Sequence, residues 1–356
     1  VKYLSVCSGI EAATVAWHGL GWEPVAFAEI EKFPAAVLAH HYPEVPNLGD
    51  MTLYRDWPEA ILAEVDLLVG GTPCQAFSIG WLKTSLADER GNLSLTFVNL
   101  HKYINEVRRR HGRPPAIVVW ENVPGVLSTK DNAFGCLLGG LLGTNETPET
   151  EKGRWDNAGF LSSETSRVGY RILDAQYFAV AQRRRRVFLV AVPGELAERF
   201  GERACPSAIL SIRESVLGGS APREPSTRET SGCIGERTEE GDHPPVKVFR
   251  KSRRAQSVAD YETWVESPVA PTQNQFDGGD VRATVIAICN SRGGAARRIT
   301  PSECEALQGF PTGYTAVPYR NKPAADGPRY KALGNSMAVP CMWWIGDRIK
   351  KATQPT

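Results

Sequence analysis

The sequence predicts an α/β protein built on a mainly parallel sheet, with a smaller irregular domain inserted late in the chain. Three observations carry that expectation. Over the first 190 residues, short apolar runs alternate with helix-like segments, the pattern of a sheet covered on both faces. From about 196 to 296 the alternation stops and the composition turns to Gly, Pro, Ser and charge, as in "GGSAPREPSTRETSGCIGERTEEGDHPP". After 297 apolar order returns. A length of 356 residues suits one large domain and one smaller one, and 42% hydrophobic with 23% charged residues is ordinary for a globular chain.

In chain order, Lys2 to Cys7 reads as a strand, Glu11 to His18 as a helix, Pro24 to Ala28 as a strand and Phe33 to His41 as a helix. Val65 to Val69, Ala116 to Trp120 and Val187 to Val192 are further strands. Leu93 to Arg110 is the clearest helix, with Leu95, Val98, Tyr103 and Val107 along one side. Gly169 to Ala179 reads as one more strand, antiparallel and near the sheet edge. The polar, turn-rich stretch from about 141 to 166 is expected as a surface insertion. Within 196–296 only Val281 to Ile288 shows periodicity, and a last helix starts near Met337. The expected division is therefore 1–195, 196–296, and a return segment, 297–356, that completes the first domain.

A formal net charge of +1 advertises no global polycation, so electrostatic evidence has to be local. The eight cysteines form no C-x-x-C pair, which excludes a zinc framework and a disulfide scaffold and suggests a reducing compartment. No metal site is expected. No run of about 18 apolar residues is present, and the first residues lack the pattern of a secretion signal. The expectation is a cytoplasmic protein without a membrane span.

Several stretches carry chemistry. "VCSGIEAA" closes a strand and opens a helix, the geometry of a nucleoside site, and Glu29 follows Gly9 by 20 residues at the end of the next strand. A carboxylate there can accept both ribose hydroxyls. One glycine gives a pyrophosphate little close backbone approach, so a ribose without phosphate fits better; a plain βαβ turn is the alternative. In "DLLVGGTPCQAFSIG", Pro73 stiffens the chain directly before Cys74, just past an apolar strand. A buried, inert cysteine is the plainer reading of that stretch alone. Glu121 also sits where a strand ends. A thiol and a carboxyl over one sheet edge suit addition to an electron-poor ring. A pyrimidine accepts a thiolate at carbon 6 only if N3 is protonated or strongly hydrogen-bonded, which a carboxyl raised above its free pKa of about 4.3 can arrange. In "AQRRRRVFLV", Gln182, Arg184 and Arg186 share one face of an extended chain, and Arg183 and Arg185 share the other. Two guanidiniums on one side form a phosphate or carbonyl clamp; a solvated patch is the alternative.

The order of "VCSGIEA", Glu29, "GD" at 49–50, "TPCQAFS", "RGNL", "WENVPGV", "QRRRRVF", "RRITPSECEALQGFP" and "ALGNSMAVP" resembles the DNA (cytosine-5)-methyltransferases, over residues 1–190 and 297–345. The resemblance implies a Rossmann-like sheet of the S-adenosylmethionine-dependent methyltransferases, with residues 196–296 as a smaller, irregular target-recognition domain. It implies that Cys74 is the thiolate nucleophile, that Glu121 engages N3 and the exocyclic amine of the cytosine, and that Arg184 and Arg186 are the motif arginines, with Arg186 holding the base and its phosphate. Ser8, Gly9 and Ile10 become the cofactor loop, Glu29 the ribose carboxylate, Asp50 and Met51 the adenine contacts. Leu93, Asn335 and Ser336 complete the cofactor wall.

The partner implied is double-stranded DNA, with the target base flipped out of the stack. Gln75 and Ser78 fall beside the nucleophile as DNA contacts. Arg254, in a basic run with Arg250, Lys251 and Arg253, is read as a phosphate contact, with a solvated loop as the equal alternative. Thr272 resembles a recognition-loop residue. A monomer of bacterial or phage origin is expected. Two departures stand out: Cys7 replaces an aromatic residue of the family's first motif, and Glu11 and Ala12 replace glycines. The weighed alternatives are a tRNA cytosine-5 methyltransferase and a silent DNA-reading protein; the poor glycine fingerprint argues against a nicotinamide oxidoreductase.

Overall fold

The computed structural model describes residues 1–73, 93–144, 146–151, 153–212, 246–253, 263–272, 285–289 and 296–354. The chain divides into two compact units. The first holds Val1–Leu173, Arg185–Ser211 and Met342–Thr356; the second holds Asp174–Arg184 and Ile212–Cys341.

In the first unit, β1 (Lys2–Val6), α1 (Ala12–Trp17), β2 (Glu23–Ala28), α2 (Lys32–His41), α3 (Glu59–Ala63), β3 (Leu67–Gly70), α4 (Leu93–Arg110) and β4 (Ile117–Asn122) follow the expected alternation. The strands lie in a seven-stranded sheet of order β2-β1-β3-β4-β7-β6-β5, where β5 is Ala158–Ser162, β6 Ser166–Asp174 and β7 Arg185–Pro193. Pairing is parallel from β2 through β4, and β7 then runs antiparallel to β4. Every residue of β3 and β4 is buried, as strands covered on both faces must be. Gly70 lets β1 and β3 approach closely, since a Cβ there would come 2.9 Å from the Val6 carbonyl oxygen. Among the described residues, no helix is long and apolar enough to cross a membrane.

The stretch from 141 to 166, expected as a surface insertion, is instead partly built into this unit. Its first residues end α5 (Ala133–Leu142), a helix buried along its whole length. Residues 146–148 lie against the glycines of α5: a Cβ on Gly135 would come 2.4 Å from the Pro148 carbonyl oxygen, and one on Gly139 2.7 Å from that of Glu146. Trp155 packs edge-on against Phe134 and Tyr170, and its Nε1 donates to Asn132 Oδ1 at 2.9 Å. Residues 158–162 then form the edge strand β5, antiparallel to β6. The buried indole, Leu141 and Leu142, together with a run of main-chain bonds, hold a segment that is otherwise largely polar.

The second unit is more regular than its sequence suggested. The strands β8 (Val246–Arg253), β9 (Thr263–Ser267), β10 (Val285–Cys289) and β11 (Ala296–Arg297) form an antiparallel sheet of order β11-β10-β8-β9. The boundaries also differ from the expected 195/196 and 296/297 breaks. Residues 297–341 cluster with the middle of the chain, and only Met342–Thr356 belongs with the first unit. A buried network holds this segment together: Glu305 of α6 (Pro301–Gln308) accepts from Gly313 N at 2.6 Å, Thr315 N at 2.8 Å and Arg329 Nη2 at 3.2 Å. Arg329 lies on α7 (Asp326–Asn335), so the network ties α6, α7 and the loop between them together. The last helix, α8 (Val339–Thr353), starts two residues after the expected Met337.

Candidate active site

The site is assembled at the carboxyl ends of the parallel strands, where an open α/β sheet leaves its crevice. Two residues past β3, Thr72 is held from three sides. Its carbonyl accepts from Asn122 Nδ2 at 2.8 Å, and its hydroxyl oxygen accepts from Trp120 Nε1 at 3.0 Å and bonds with Ser94 Oγ at 2.9 Å. Alternate residues of β4 thus pin the chain as it enters Pro73. Trp120, Asn122 and Thr72 are positioning residues that sequence reasoning missed; the signal was the tryptophan and asparagine on either side of Glu121. Cys74, Gln75 and Ser78 lie outside the described residues.

Glu121, between that tryptophan and asparagine, points to the other face of β4. It is 8% exposed, and its Oε1 lies 3.1 Å from Nε of Arg186 on the neighbouring β7. Arg186 was expected to hold a base or phosphate, and here its guanidinium orients the carboxyl group. The alternation read from the four arginines holds: Gln182 and Arg184 are buried, Arg186 is half-buried, and Arg183 and Arg185 are exposed.

Arg184 does something different. Its Nη2 donates to the carbonyls of Gly334 at 3.0 Å and Ser336 at 2.5 Å, and its own backbone N–H donates to Asp174 Oδ1 at 3.0 Å. A guanidinium spent on main-chain carbonyls holds the turn that carries Asn335 and Ser336. Arg184, Asn335 and Ser336 belong to the second unit, and Arg186 and Glu121 to the first.

The expected cofactor loop is tightly built. Glu29 Oε2 accepts from Gly9 N at 2.7 Å and Oε1 from Glu31 N at 2.6 Å, which leaves further lone pairs on both oxygens. Burial raises the Glu29 pKa, and the hydrogen bonds from Glu31 and Gly9 oppose it. The Ser8 hydroxyl donates to the Ser5 carbonyl at 2.9 Å and accepts from Ala28 N at 3.1 Å, stitching the loop to the end of β2. Asn47, which sequence reasoning missed, grips the backbone of Glu29 twice: Oδ1 accepts its N–H at 2.9 Å and Nδ2 donates to its carbonyl at 3.0 Å. Gly9 has φ +57°, and no atom lies within 4 Å of where its Cβ would stand.

Beside this loop, Ile10 and Met51 are buried, and Cys7 Sγ lies 3.7 Å from Met51 Sδ. Burial, reinforced by Glu29 and Asp50, pushes the Cys7 thiol up to about 12. Asp50 caps the following turn through Thr52 N at 2.9 Å. Ile30, directly after Glu29, is 69% exposed. A carboxylate with free lone pairs, an open glycine and adjacent aliphatic and thioether groups fit a nucleoside better than a phosphate ester, as S-adenosylmethionine requires. Leu93 opens α4 in the same unit. In the second unit, the Thr272 hydroxyl donates to the Arg183 carbonyl at 2.6 Å, so that donor is already committed. Arg250, Lys251 and Arg253 fall on β8; Arg254 lies outside the described residues.

Comparison with known proteins agrees with this arrangement. The model of the C-5 cytosine-specific DNA methylase family matches residues 1–351. The chain is 37% identical to a "DNA N-6-adenine-methyltransferase" of Escherichia phage P1 over 98% of its own length, and spans 61% of that protein. It is 22% identical to the type II methyltransferase M.HhaI of Haemophilus parahaemolyticus, over 98% of the chain and 94% of the relative. The folds of the Dnmt2 methyltransferases of S. pombe and Spodoptera frugiperda are similar, with TM-scores of 0.61 and 0.62 at 13% and 19% identity. Each comparison covers 99% of both chains. S-adenosylmethionine is the methyl donor that this family implies. With the match running from the first strand into the last helix, the chain belongs to the C-5 cytosine-specific DNA methylases.

Proposed function

We propose that the protein transfers a methyl group from S-adenosylmethionine to carbon 5 of a cytosine in double-stranded DNA, through a covalent adduct of Cys74 at carbon 6. The observation that carries this reading is the Glu121–Arg186 pair, one strand over from the Thr72–Pro73 segment that leads into Cys74. When bound, S-adenosylmethionine supplies the methyl group as an electrophilic carbon on a cationic sulfur. Ser8, Gly9 and Glu29 hold its ribose end.

Addition needs the thiolate of Cys74, since a free thiol is only a few per cent ionised at neutral pH. As sulfur bonds to carbon 6, electron density moves into the ring toward N3, where the carboxyl of Glu121 gives a hydrogen bond. Arg186 fixes the carboxyl plane for that task. Carbon 5 becomes nucleophilic. Once it is substituted, its proton leaves to a base, the electron pair re-forms the 5,6 double bond, and the sulfur of Cys74 departs. Carbon 6 is stacked within a duplex, so the target cytosine turns out into the pocket. The second unit, with its antiparallel sheet, reads the surrounding sequence, and the protein acts as a monomer in the cytoplasm of a bacterial or phage-infected cell.

The name of the phage P1 relative supports a second reading, methylation of the adenine amino group. An exocyclic amine attacks a methyl sulfonium directly and needs no thiol adduct, so the Pro-Cys-Gln stretch and the Glu121–Arg186 pair favour cytosine. More than a third of that relative's length has no counterpart in this chain.

Duplex DNA carrying 5-fluorocytosine tests the reading. Fluorine cannot leave as a proton does, so the enzyme stalls as an adduct that survives denaturation, only with S-adenosylmethionine present. Peptide mapping should place it on Cys74, and Cys74→Ser should form none. An adduct on another cysteine, or N6-methyladenine as the product on unmodified duplex, overturns the proposal.

A further inference from the structure

Glu11 stands two residues past Gly9, where the family carries a glycine. It adopts φ 66° and ψ 60°, a left-handed conformation that glutamate enters at a cost, and it is 1% exposed. Its Oε1 caps α1 by accepting from Thr14 N at 3.2 Å and Thr14 Oγ1 at 3.1 Å. Its Oε2 is buried without a donor in bonding geometry, although the Ser5 hydroxyl lies close enough to favour the charged form. A carboxylate can accept about four hydrogen bonds; much of this one's capacity is unused. The titratable and charged groups facing it are Tyr3 on β1 and Glu29 at the end of β2, with neutral hydroxyls from Ser5 and Thr14. Among the described residues, no cation is one of them. Burial pushes the Glu11 pKa up to about 7, and the charge of Glu29 adds to the rise.

A carboxyl placed this way answers to any positive charge brought into the loop. The methyl donor is a sulfonium cation before transfer and a neutral thioether afterwards. We infer that Glu11 senses the charge on the donor's sulfur and so sets the preference for S-adenosylmethionine over S-adenosylhomocysteine. This rests on the methyl-donor reading above. Binding of the cation favours ionised Glu11, whose proton goes to solvent; when the neutral thioether takes its place, the proton returns. The preference therefore grows as pH rises and levels off once Glu11 is ionised without ligand.

Isothermal titration of the full chain with each ligand between pH 6 and 8, in two buffers of different ionisation enthalpy, tests this without any turnover. Donor binding should release more protons than product binding. The ratio of the two affinities should rise by about fivefold across that range, as a one-unit shift of a carboxyl that titrates at about 7 without the donor gives. Glu11→Gln keeps an oxygen for Thr14 and cannot ionise, so its ratio should stay nearly flat. Any difference between the ligands' own amino groups persists in the variant and cancels in the comparison. Equal proton release for both ligands, or an unchanged pH dependence in Glu11→Gln, overturns the inference. If the variant does not fold, the two-buffer measurement on the unaltered protein decides, with each ligand's own amino-group protonation titrated separately and subtracted. Binding of neither ligand would overturn the donor reading itself, and this inference with it.

Discussion

Arg184→Met separates a residue that holds the fold from one that handles the substrate. The substitution keeps an unbranched chain in a site where Arg184 is 2% exposed, and removes the donors to Gly334 and Ser336. Hydrogen bonds from a charged group contribute roughly 1.5–3 kcal/mol each, so losing two costs about 3–6 kcal/mol. For a unit of this size that corresponds to a fall in melting temperature of about 10 °C, since each kcal/mol moves it by about 2–4 °C. Calorimetry of the wild type, Arg184→Met and Arg184→Lys measures the drop directly; lysine, with one ammonium in place of a planar fork, should recover only part of it. On the reading that assigns Asn335 and Ser336 to the cofactor wall, donor affinity should weaken in step with stability, because the loosened turn carries both. A variant that melts within about 1 °C of the wild type yet loses methyl transfer would refute this reasoning and return Arg184 to the substrate clamp.

Glu121→Gln should leave the fold intact, because the amide keeps the carboxyl's size and a polar oxygen facing Arg186, 3.1 Å from Nε in the wild type, while the rate falls by about 10²-fold or more, the usual scale for losing a general acid; near-normal turnover would remove Glu121 from the chemistry. His101, buried with Nε2 bonded to the Ala116 carbonyl at 2.9 Å, has its pKa pushed down to about 4, chiefly by burial. The unfolded chain then binds the extra proton between pH 6.5 and 4. Stability from this group is full above 6.5 and falls by up to about 3 kcal/mol as pH drops toward 4. Urea melts at pH 7.5, 5.5 and 4.5 should show that slope in the wild type and a shallower one in His101→Gln; parallel slopes would assign the acid sensitivity elsewhere.

The strands of the first unit were readable because each is a short apolar run that must be covered on both faces, and α4 matched its expected bounds, Leu93 to Arg110. Glu121 and Glu29 were readable because strand ends in such a sheet carry the chemistry. Two kinds of feature were not. The helix α5, "AFGCLLGGLL", is apolar on every side and so has no period to read. The contacts on Glu305, and those of Thr72 with Trp120 and Asn122, join residues 8 to 50 positions apart through polar atoms, and polarity alone predicts solvent. The roles of Arg184 and Arg186 diverged for a related reason. Alternation gives the face of a strand, but the partner across the gap decides what a guanidinium does there.

One join in the second unit bears on how target choice can change. Ala270 N donates to the Ala181 carbonyl at 2.9 Å, Arg183 N donates to the Ala270 carbonyl at 2.7 Å, and Thr272 adds its hydroxyl to the Arg183 carbonyl. Two of these three bonds are made by main chain alone, so the seam asks of position 270 that it not be proline and, because Ala270 is fully buried, that its side chain stay small. It sets no requirement on the side chains distal to it. On the proposed reading of the second unit as the part that reads DNA sequence, a segment from a relative can be grafted between residues 212 and 269 without rewriting the arginine stretch, provided that the three-residue splice at 270–272 is carried over with its alanine and threonine. On that reading, such a seam lets the choice of target drift while the arginine stretch stays as it is.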